Sequence, residues 1–202
     1  YPNFITQEGV LGAEWNKMDR RVTPQHNLML PYTRMLAGPM DYTPGGFRNA
    51  TPQTFDVRAV LPQTQTTRGQ ALAMYVVFDS PLQMVSDDPD AYRDAPGFDF
   101  IRRVPTAWDE TRFIDGEPGR DIVLARRQGR TWYLGAMAAG QARAERVPLR
   151  FLAPGKYRAS VWQDGDTPRA VLRSERIVSP ADVLELQLAA AGGAAVILEP
   201  AP

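Results

Sequence analysis

The second half of the chain alternates short β-branched and apolar runs with turn signals, and this pattern restricts the fold more than any other feature. The dipeptides Gln128-Gly129, Pro154-Gly155 and Asp164-Gly165 read as turns between strands. The predicted strands cover residues 122–125, 131–136, 147–152, 157–163, 183–188 and 194–198. Such spacing predicts an antiparallel β-domain over residues 111–202, in the size range of a small β-sandwich.

The first half, residues 1–110, has a different texture, in which short apolar runs precede longer amphipathic ones. We expect strands at 2–6, 35–40 and 82–85, with helices at 68–78 and 91–104. The pair Gly38-Pro39 argues against a helix across the second of these strands, and Pro96-Gly97 interrupts the last helix. This order of elements is that of βα units, as in the last part of a (β/α)8 barrel. The predicted fold class is therefore α/β plus all-β, with the boundary between Trp108 and Asp115.

The charge balance excludes several classes of partner. The 23 Lys and Arg residues equal the 23 Asp and Glu residues, so no overall field favours nucleic acid or an anionic membrane. The longest apolar run, near residues 71–78, falls well short of the roughly 18 residues that a membrane span needs. The chain has no cysteine, so disulfides and thiol chemistry are excluded.

The polar loops near the start of the chain are the best candidates for a site. Residues 1–44 are dense in Gly, Pro, carboxylates and aromatics, a composition that suits a site more than a core. Glu8 and Glu14 are separated by Gly9 and Gly12, so both can face one cavity if the backbone turns between them. Two converging carboxylates are typical of glycosidic bond hydrolysis or of a site for a hard cation.

Ordered motifs along nearly the whole chain resemble family 97 of the glycoside hydrolases. They are YPNFITQEGVLGAEWN at 1–16, LPYTRMLAGPMDYTPG at 30–45, QALAMYVVFDSPLQM at 70–84, VPTAWDET at 104–111, DGEPG at 115–119 and AAGGAAV at 190–196. The resemblance implies a calcium-dependent α-glucosidase or α-galactosidase with an N-terminal β-sandwich, a (β/α)8 barrel and a C-terminal β-domain. A barrel alone needs about 250 residues, so this chain of 202 residues is expected to be the C-terminal part of a longer protein.

The same resemblance assigns roles to the two glutamates. The second Glu of the EGVLGAE pattern, Glu14, matches the family's proton donor, and Glu8 matches a calcium ligand. Calcium takes six to eight oxygen ligands, so Glu8 supplies part of the shell and the remaining ligands lie outside this chain. The second catalytic carboxylate is also expected upstream of Tyr1. Without the resemblance, a solvated loop charge or a pairing with a local Arg is the simpler interpretation of each Glu.

Three further residues are candidates for substrate contact: His26, Asp41 and Trp15. His26 is the only histidine, and a lone His is more often structural than catalytic. Asp41 follows a presumed strand end, where barrel enzymes place functional side chains, although an Asx turn explains it equally well. Trp15, like Tyr42, could stack on a sugar or pack in the barrel rim. Arg34 is a candidate structural partner of Asp41 or of a neighbouring carboxylate.

These observations favour hydrolysis of terminal α-glycosidic bonds by a longer parent enzyme, with Ca²⁺ as cofactor and an oligosaccharide or α-glycoside as substrate. The expected partner is the remainder of the same polypeptide, and the family implies a periplasmic or secreted location. We expect the isolated chain to be inactive, because part of a barrel cannot close. One alternative is a non-catalytic β-sandwich that binds carbohydrate through Trp132, Tyr133 and Trp162, or serves a structural role. Another is an unrelated cation-dependent hydrolase.

Overall fold

A six-stranded antiparallel sheet dominates the computed structural model, which describes residues 5–201. Its strand order is β1-β2-β3-β8-β5-β6, and a separate two-stranded sheet pairs β4 with β7. The strands are β1 (Glu110–Glu117), β2 (Asp121–Gln128), β3 (Thr131–Ala138), β4 (Arg143–Pro148), β5 (Tyr157–Asp164), β6 (Val171–Val178), β7 (Val183–Leu188) and β8 (Gly193–Pro200). The predicted antiparallel β-domain is confirmed in this form.

The central strands of the large sheet are buried on both faces, which explains why their sequences are apolar almost without a break. On β3, Trp132 and Leu134 pack toward the small sheet, against Val147 and Leu184. Tyr133, between them, packs on the opposite face with residues of the first half. Because side chains alternate across a strand, one strand thus serves two cores. The large sheet lies between the small sheet and the first half of the chain.

The first half contains four α-helices and three 3₁₀ turns within the described residues. The helices are α1 (Pro24–Met29), α2 (Arg68–Val77), α3 (Pro89–Tyr92) and α4 (Phe98–Ile101), and the 3₁₀ turns are Ala13–Lys17, Leu30–Tyr32 and Arg34–Ala37. The predicted helix at 68–78 is confirmed as α2. The predicted interruption at Pro96-Gly97 separates α3 from α4, where Gly97 adopts φ 91°. None of the helices in residues 5–201 is long and apolar enough to cross a bilayer.

Helix α2 joins the two halves. Thr67 caps its first turn by accepting from the Gln70 amide at 3.1 Å, and every residue of the helix is buried. Glycines allow the helix backbone to approach the sheet. A Cβ added at Gly135 would lie 2.8 Å from the Ala73 carbonyl oxygen, and one at Gly193 would lie 2.5 Å from Gln70 Cα. The contact is therefore closer than side chains permit.

The strands predicted in the first half are not observed. Residues 34–37 form a 3₁₀ turn instead of the strand expected at 35–40, and only Met40 makes a bridge, in parallel with Gln7. No strand forms at 82–85, where Leu82, Met84 and Val85 are exposed. The prediction at 2–6 falls largely outside the described residues. Of the two isolated parallel bridges, Gln7–Met40 and Asn49–Thr64, only the first involves a residue of a predicted strand, so the barrel portion stays a prediction.

In the second half, five of the predicted strands lie inside observed ones. The run predicted at 147–152 is partly wrong, because β4 ends at Pro148 and residues 149–152 form a turn in which the Leu152 amide donates to the Leu149 carbonyl at 2.9 Å. Strands β1 and β6 were not predicted. Both are edge strands with mostly exposed side chains, so their sequences lack an apolar alternation.

Candidate functional site

Glu14 lies in the 3₁₀ turn Ala13–Lys17, which a neighbouring loop holds in place. The Ala13 amide donates to the Tyr42 carbonyl at 2.8 Å, and the Asn16 side chain donates back to the Ala13 carbonyl at 2.9 Å. A Cβ at Gly12 would lie 2.9 Å from the Tyr42 carbonyl oxygen, so glycine permits this close approach. The turn presents Glu14 as a half-buried carboxylate.

A cavity of about 180 Å³ adjoins the Glu14 side chain. Segments far apart in the sequence line it, with Lys17, Gln63, Ser86 and Asp87 as polar members. Asp87 is occupied, because it pairs with Arg48 and accepts from the Phe47 amide at 2.8 Å. The Ser86 hydroxyl is buried and has no hydrogen-bond partner among the described residues.

The electrostatic surroundings of Glu14 favour its protonated form. Burial makes the largest contribution and raises the pKa of Glu14 above its ordinary value, against the opposing effect of a main-chain amide. The carboxylates of Glu8 and Asp41 raise this pKa further, and Lys17 lowers it. A carboxyl group that retains its proton nearer to neutral pH is suited to act as a general acid.

The structure brings Glu8 and Asp41 to Glu14 through paired loops. Gln7 and Met40 form the parallel bridge, and the Asp41 amide donates to the Gln7 carbonyl at 3.1 Å. The Met40 amide in turn donates to the Asp79 carbonyl at 3.0 Å, just beyond the end of α2. Glu8 is exposed and Asp41 is half-buried, so both carboxylates remain accessible.

Arg34 holds this loop pair together, although not as expected. Its guanidinium donates to the main-chain carbonyls of Gln7 at 2.6 Å, Glu8 at 2.8 Å, Gly38 at 3.0 Å and Pro39 at 3.3 Å. Within residues 5–201 it forms no ion pair, so the expected partnership with Asp41 or a neighbouring carboxylate is not observed. The planar fork of five donors suits several carbonyl oxygens at once.

The aromatic candidates have structural contacts. His26 Nε2 donates to the Leu11 carbonyl at 3.0 Å, which ties helix α1 to the loop before Glu14. Trp15 is half-buried and packs in the core of the first half, with the Arg21 guanidinium 5.0 Å from its ring centroid. Tyr42 is buried and donates to Asn27 at 2.6 Å, so of the two alternatives for Tyr42 the structure favours packing over stacking on a sugar.

The three aromatic residues of the β-domain that were candidates for carbohydrate binding are not exposed. Trp132, Tyr133 and Trp162 are all buried in core clusters. The Trp162 indole nitrogen donates to Asp99 at 3.0 Å. A carbohydrate-binding role through these three side chains therefore has no support.

The donor set around Glu8 fits only part of a calcium shell. Glu8 and Asp41 supply hard carboxylate oxygens of the kind that calcium prefers. Residues 5–201 contain no group of three or more acidic, His or Cys side chains placed to hold a metal ion. These two carboxylates alone cannot fill a calcium shell of six to eight ligands.

Comparison with known proteins connects both halves to one family. Residues 107–199 match the family model described as "Glycosyl-hydrolase 97 C-terminal, oligomerisation". A retaining alpha-galactosidase of Bacteroides thetaiotaomicron is 40% identical over 82% of this chain and 25% of its own length. A probable retaining alpha-galactosidase of Streptomyces bingchenggensis is 37% identical over 98% of this chain and 28% of its own length.

Solved structures give the same result. A glycoside hydrolase family 97 enzyme from a Pseudoalteromonas species, in complex with acarbose, superposes with a TM-score of 0.89 at 38% identity, over 100% of this chain and 32% of that one. A beta-arabinopyranosidase superposes with a TM-score of 0.81 at 30% identity, over 98% of this chain and 31% of that one. The chain spans about a quarter of the length of the curated relatives that it matches.

Proposed function

The chain belongs to family 97 of the glycoside hydrolases, and from this premise we propose that it supplies the proton donor of an enzyme that cleaves terminal α-glycosidic bonds. The observation that carries the proposal is Glu14, half-buried beside a cavity of about 180 Å³ with a raised pKa. A departing alcohol or sugar needs a proton on its oxygen, and a carboxyl group that holds its proton in a partly apolar site can deliver it.

The substrate is proposed to be an α-galactoside or α-glucoside, with α-galactosides as the first choice. The two curated relatives described above are named a retaining alpha-galactosidase and a probable retaining alpha-galactosidase. Retention needs a second carboxylate about 5 to 5.5 Å from the acid to act as the nucleophile. We propose that this carboxylate lies in a part of the enzyme that this chain does not span. The rest of the (β/α)8 barrel is proposed to lie there too.

Calcium remains part of the proposal, with Glu8 as one ligand. When bound, the ion would polarise the substrate and neutralise nearby carboxylates. The accessible carboxylates of Glu8 and Asp41 near Glu14 support this placement. The test is Glu8→Gln in the enzyme that contains this chain, with calcium binding measured by calorimetry and activity measured in a calcium titration. Unchanged binding and an unchanged titration would remove Glu8 from the metal site.

A periplasmic or secreted location is likewise proposed on the family alone.

The acid role is tested with Glu14→Gln in the enzyme that contains this chain. With a poor leaving group such as methanol, we expect kcat/KM to fall roughly 10² to 10⁴-fold. With 2,4-dinitrophenol, which leaves without a proton, we expect little change. Glu185→Gln, an exposed change on β7, is the control and leaves both rates intact. Equal losses on both substrates would contradict the acid role.

A second role, in assembly, is proposed for the β-domain. It is supported by the match of residues 107–199 to a family model described by oligomerisation. The domain has a core of its own between the two sheets, so it can present a fixed surface to another subunit. Sedimentation equilibrium tests this role. A mass that stays at 22.5 kDa at every concentration would exclude assembly through this chain.

A further inference from the structure

The two edges of the large sheet differ in how well they can accept another strand. In β1 the register against β2 shifts between Phe113 and Asp115, and such a bulge twists an edge and hinders further pairing. Strand β6 pairs with β5 from Val171 to Val178 without a shift. Within the described part of the chain, β6 pairs with β5 alone. It thus offers a regular row of main-chain donors and acceptors.

The side chains of β6 are also mostly exposed, although Arg173 lies over the Trp162 ring and near Asp99. Residues 172–177 are all exposed, and they include two apolar side chains, Leu172 at 57% and Ile177 at 60%. Isolated exposed apolar residues are ordinary. Two of them on an edge strand that has neither a bulge nor a proline, however, make that strand a candidate template for pairing with another chain.

The hydrogen bonds of the hairpin identify the residues that face outward. The Gly165 amide donates to the Ala170 carbonyl at 3.1 Å, so these two residues form a hydrogen-bonded pair. Such pairs alternate with non-hydrogen-bonded ones along an antiparallel ladder. The main-chain groups of Leu172, Ser174 and Arg176 therefore point to β5. Those of the odd-numbered residues 171, 173, 175 and 177 point to the open edge.

The other side of β5 gives the same parity independently. The Ala201 amide donates to the Lys156 carbonyl at 2.8 Å, which continues the β5 to β8 register. Even-numbered residues of β5 therefore bond β8, and odd-numbered ones bond β6. Since Val161 lies opposite Ser174, Ser174 again bonds inward and its odd-numbered neighbours bond outward.

We propose that a second copy of this chain pairs its β6 antiparallel to this edge, about a two-fold axis at Ser174. This inference rests on the proposed assembly role of the β-domain. In this register Arg173 lies opposite Glu175 of the partner subunit, and Val171 lies opposite Ile177 of the partner subunit. All four residue positions are outward-facing, as a hydrogen-bonded pair requires. The two large sheets then become one.

Parity and charge together favour this register over those with an axis at Arg173, at Glu175 or between residues. A two-fold axis between residues would pair an outward-facing residue with an inward-facing one, which leaves hydrogen bonds unmade. An axis at Arg173 places two arginines opposite each other, and an axis at Glu175 places two glutamates opposite each other; like charges directly opposite are destabilising. The axis at Ser174 instead gives two Arg–Glu pairs. Within one chain Arg173 and Glu175 already lie 2.9 Å apart, so these charges share one face.

Charge exchange tests the register. Sedimentation equilibrium of the 202-residue chain should give a dimer of twice 22.5 kDa. Arg173→Glu and Glu175→Arg should each weaken dimerisation about tenfold, because each replaces two attractive pairs by two repulsive ones. The double variant Arg173→Glu/Glu175→Arg should restore the dimer to within about threefold. Arg130→Glu, in an exposed turn, should leave the dimer unchanged.

Amide hydrogen exchange gives a readout that needs no variant. On raising the concentration, the amides of Arg173 and Glu175 should become protected, and those of Ser174 and Arg176 should not change. If neither single variant weakens the dimer and amide protection does not alternate along β6, the edge pairing is overturned, whereas the assembly role is not. A chain that stays monomeric at every concentration would overturn both.

Discussion

The two halves of this molecule are stabilised in different ways. In the β-domain, continuous ladders satisfy the main chain, and an apolar core lies on either face of the central strands. In residues 5–109, side chains satisfy much of the main chain: Arg34 reaches four carbonyls, Gln65 reaches two, and Arg68 reaches the Phe47 carbonyl. The ladders give a regular framework, whereas the side-chain bonds give the loops that hold Glu14.

The candidate site therefore depends on the β-domain although it lies outside it. Helix α2 packs on the large sheet, and its end anchors Met40 through Asp79. Arg126 of β2 also reaches Asp79, at 3.0 Å. The loops near Glu14 have no strand ladder of their own, so helix α2 and the large sheet fix their positions.

The largest effect is expected from separating α2 from the sheet. Gly193→Val places a side chain against the Gln70 main chain, so we expect the free energy of unfolding to fall by about 3 kcal/mol. Urea denaturation measures this. Gly129→Asn, at a turn with φ 59° and open space around it, is the control, with a change under about 0.5 kcal/mol. Equal effects would mean that α2 does not join the halves.

A smaller loss is expected at the buried carboxylate below the first turn of α2. Asp164 accepts from the Ala189 amide at 2.8 Å and from the Gly193 amide at 2.7 Å. Asp164→Ala leaves both amides unpaired, so unfolding should become easier by about 2 kcal/mol. Asp166→Ala, on the exposed part of the same hairpin, should be nearly neutral. If the Asp164→Ala variant is as stable as the unchanged chain, the loop before β8 does not need this carboxylate to keep its conformation.

The loops near Glu14 can be loosened without touching the β-domain. Arg34→Lys retains the charge but cannot reach four carbonyls, and we expect a loss of about 1 kcal/mol. Amide exchange at Asp41 should accelerate while exchange in β3 and β8 stays slow. Arg58→Lys, in an exposed pair with Asp56, is the matched control and should change neither quantity. Faster exchange throughout the sheet would contradict the independence of the two networks.

The smallest effect concerns charge alone. Because the carboxylates of Glu8 and Asp41 raise the pKa of Glu14, Glu8→Gln and Asp41→Asn should each lower it, with Glu8→Gln the larger. A raised pKa means that the folded chain loses stability as the pH rises from 4.5 through the folded-state value, so both variants should reduce this loss. Carboxyl NMR titration measures the pKa, with Glu145 as the internal control. An unmoved Glu14 would show that burial alone sets its pKa.

Most of the β-domain could be predicted from the sequence, because its central strands are buried on both faces and their residues are therefore mostly apolar. Edge strands such as β6 were not predicted. Strand β6, with the sequence VLRSERIV, has one neighbouring strand, and most of its side chains are exposed, so its sequence shows no apolar pattern. The strand expected at 35–40 does not form. Arg34 instead donates to main-chain carbonyls 26 and 27 residues earlier in the sequence, and a local sequence pattern does not indicate such a contact.

The candidate site was predicted only in part, for a similar reason. Glu14 and its charged neighbour Glu8 share one motif, so sequence reasoning found them together. Lys17, Ser86 and Asp87 were missed, although the polar run Ser86-Asp87-Asp88 after an apolar segment was a usable signal. The cavity brings residues 13–17 beside 86–87, and only tertiary packing creates that neighbourhood.

The place of β8 in the large sheet governs when the domain can be completed during synthesis. Strands β1 to β3 form one meander and β5 with β6 forms a hairpin, and β8 is the strand between β3 and β5 that connects them. A ribosome must therefore release residues 193–200 before the sheet can close. Until then the nascent chain carries two unfinished sheets with unpaired inner edges, and chaperone protection of those edges would matter most in that interval.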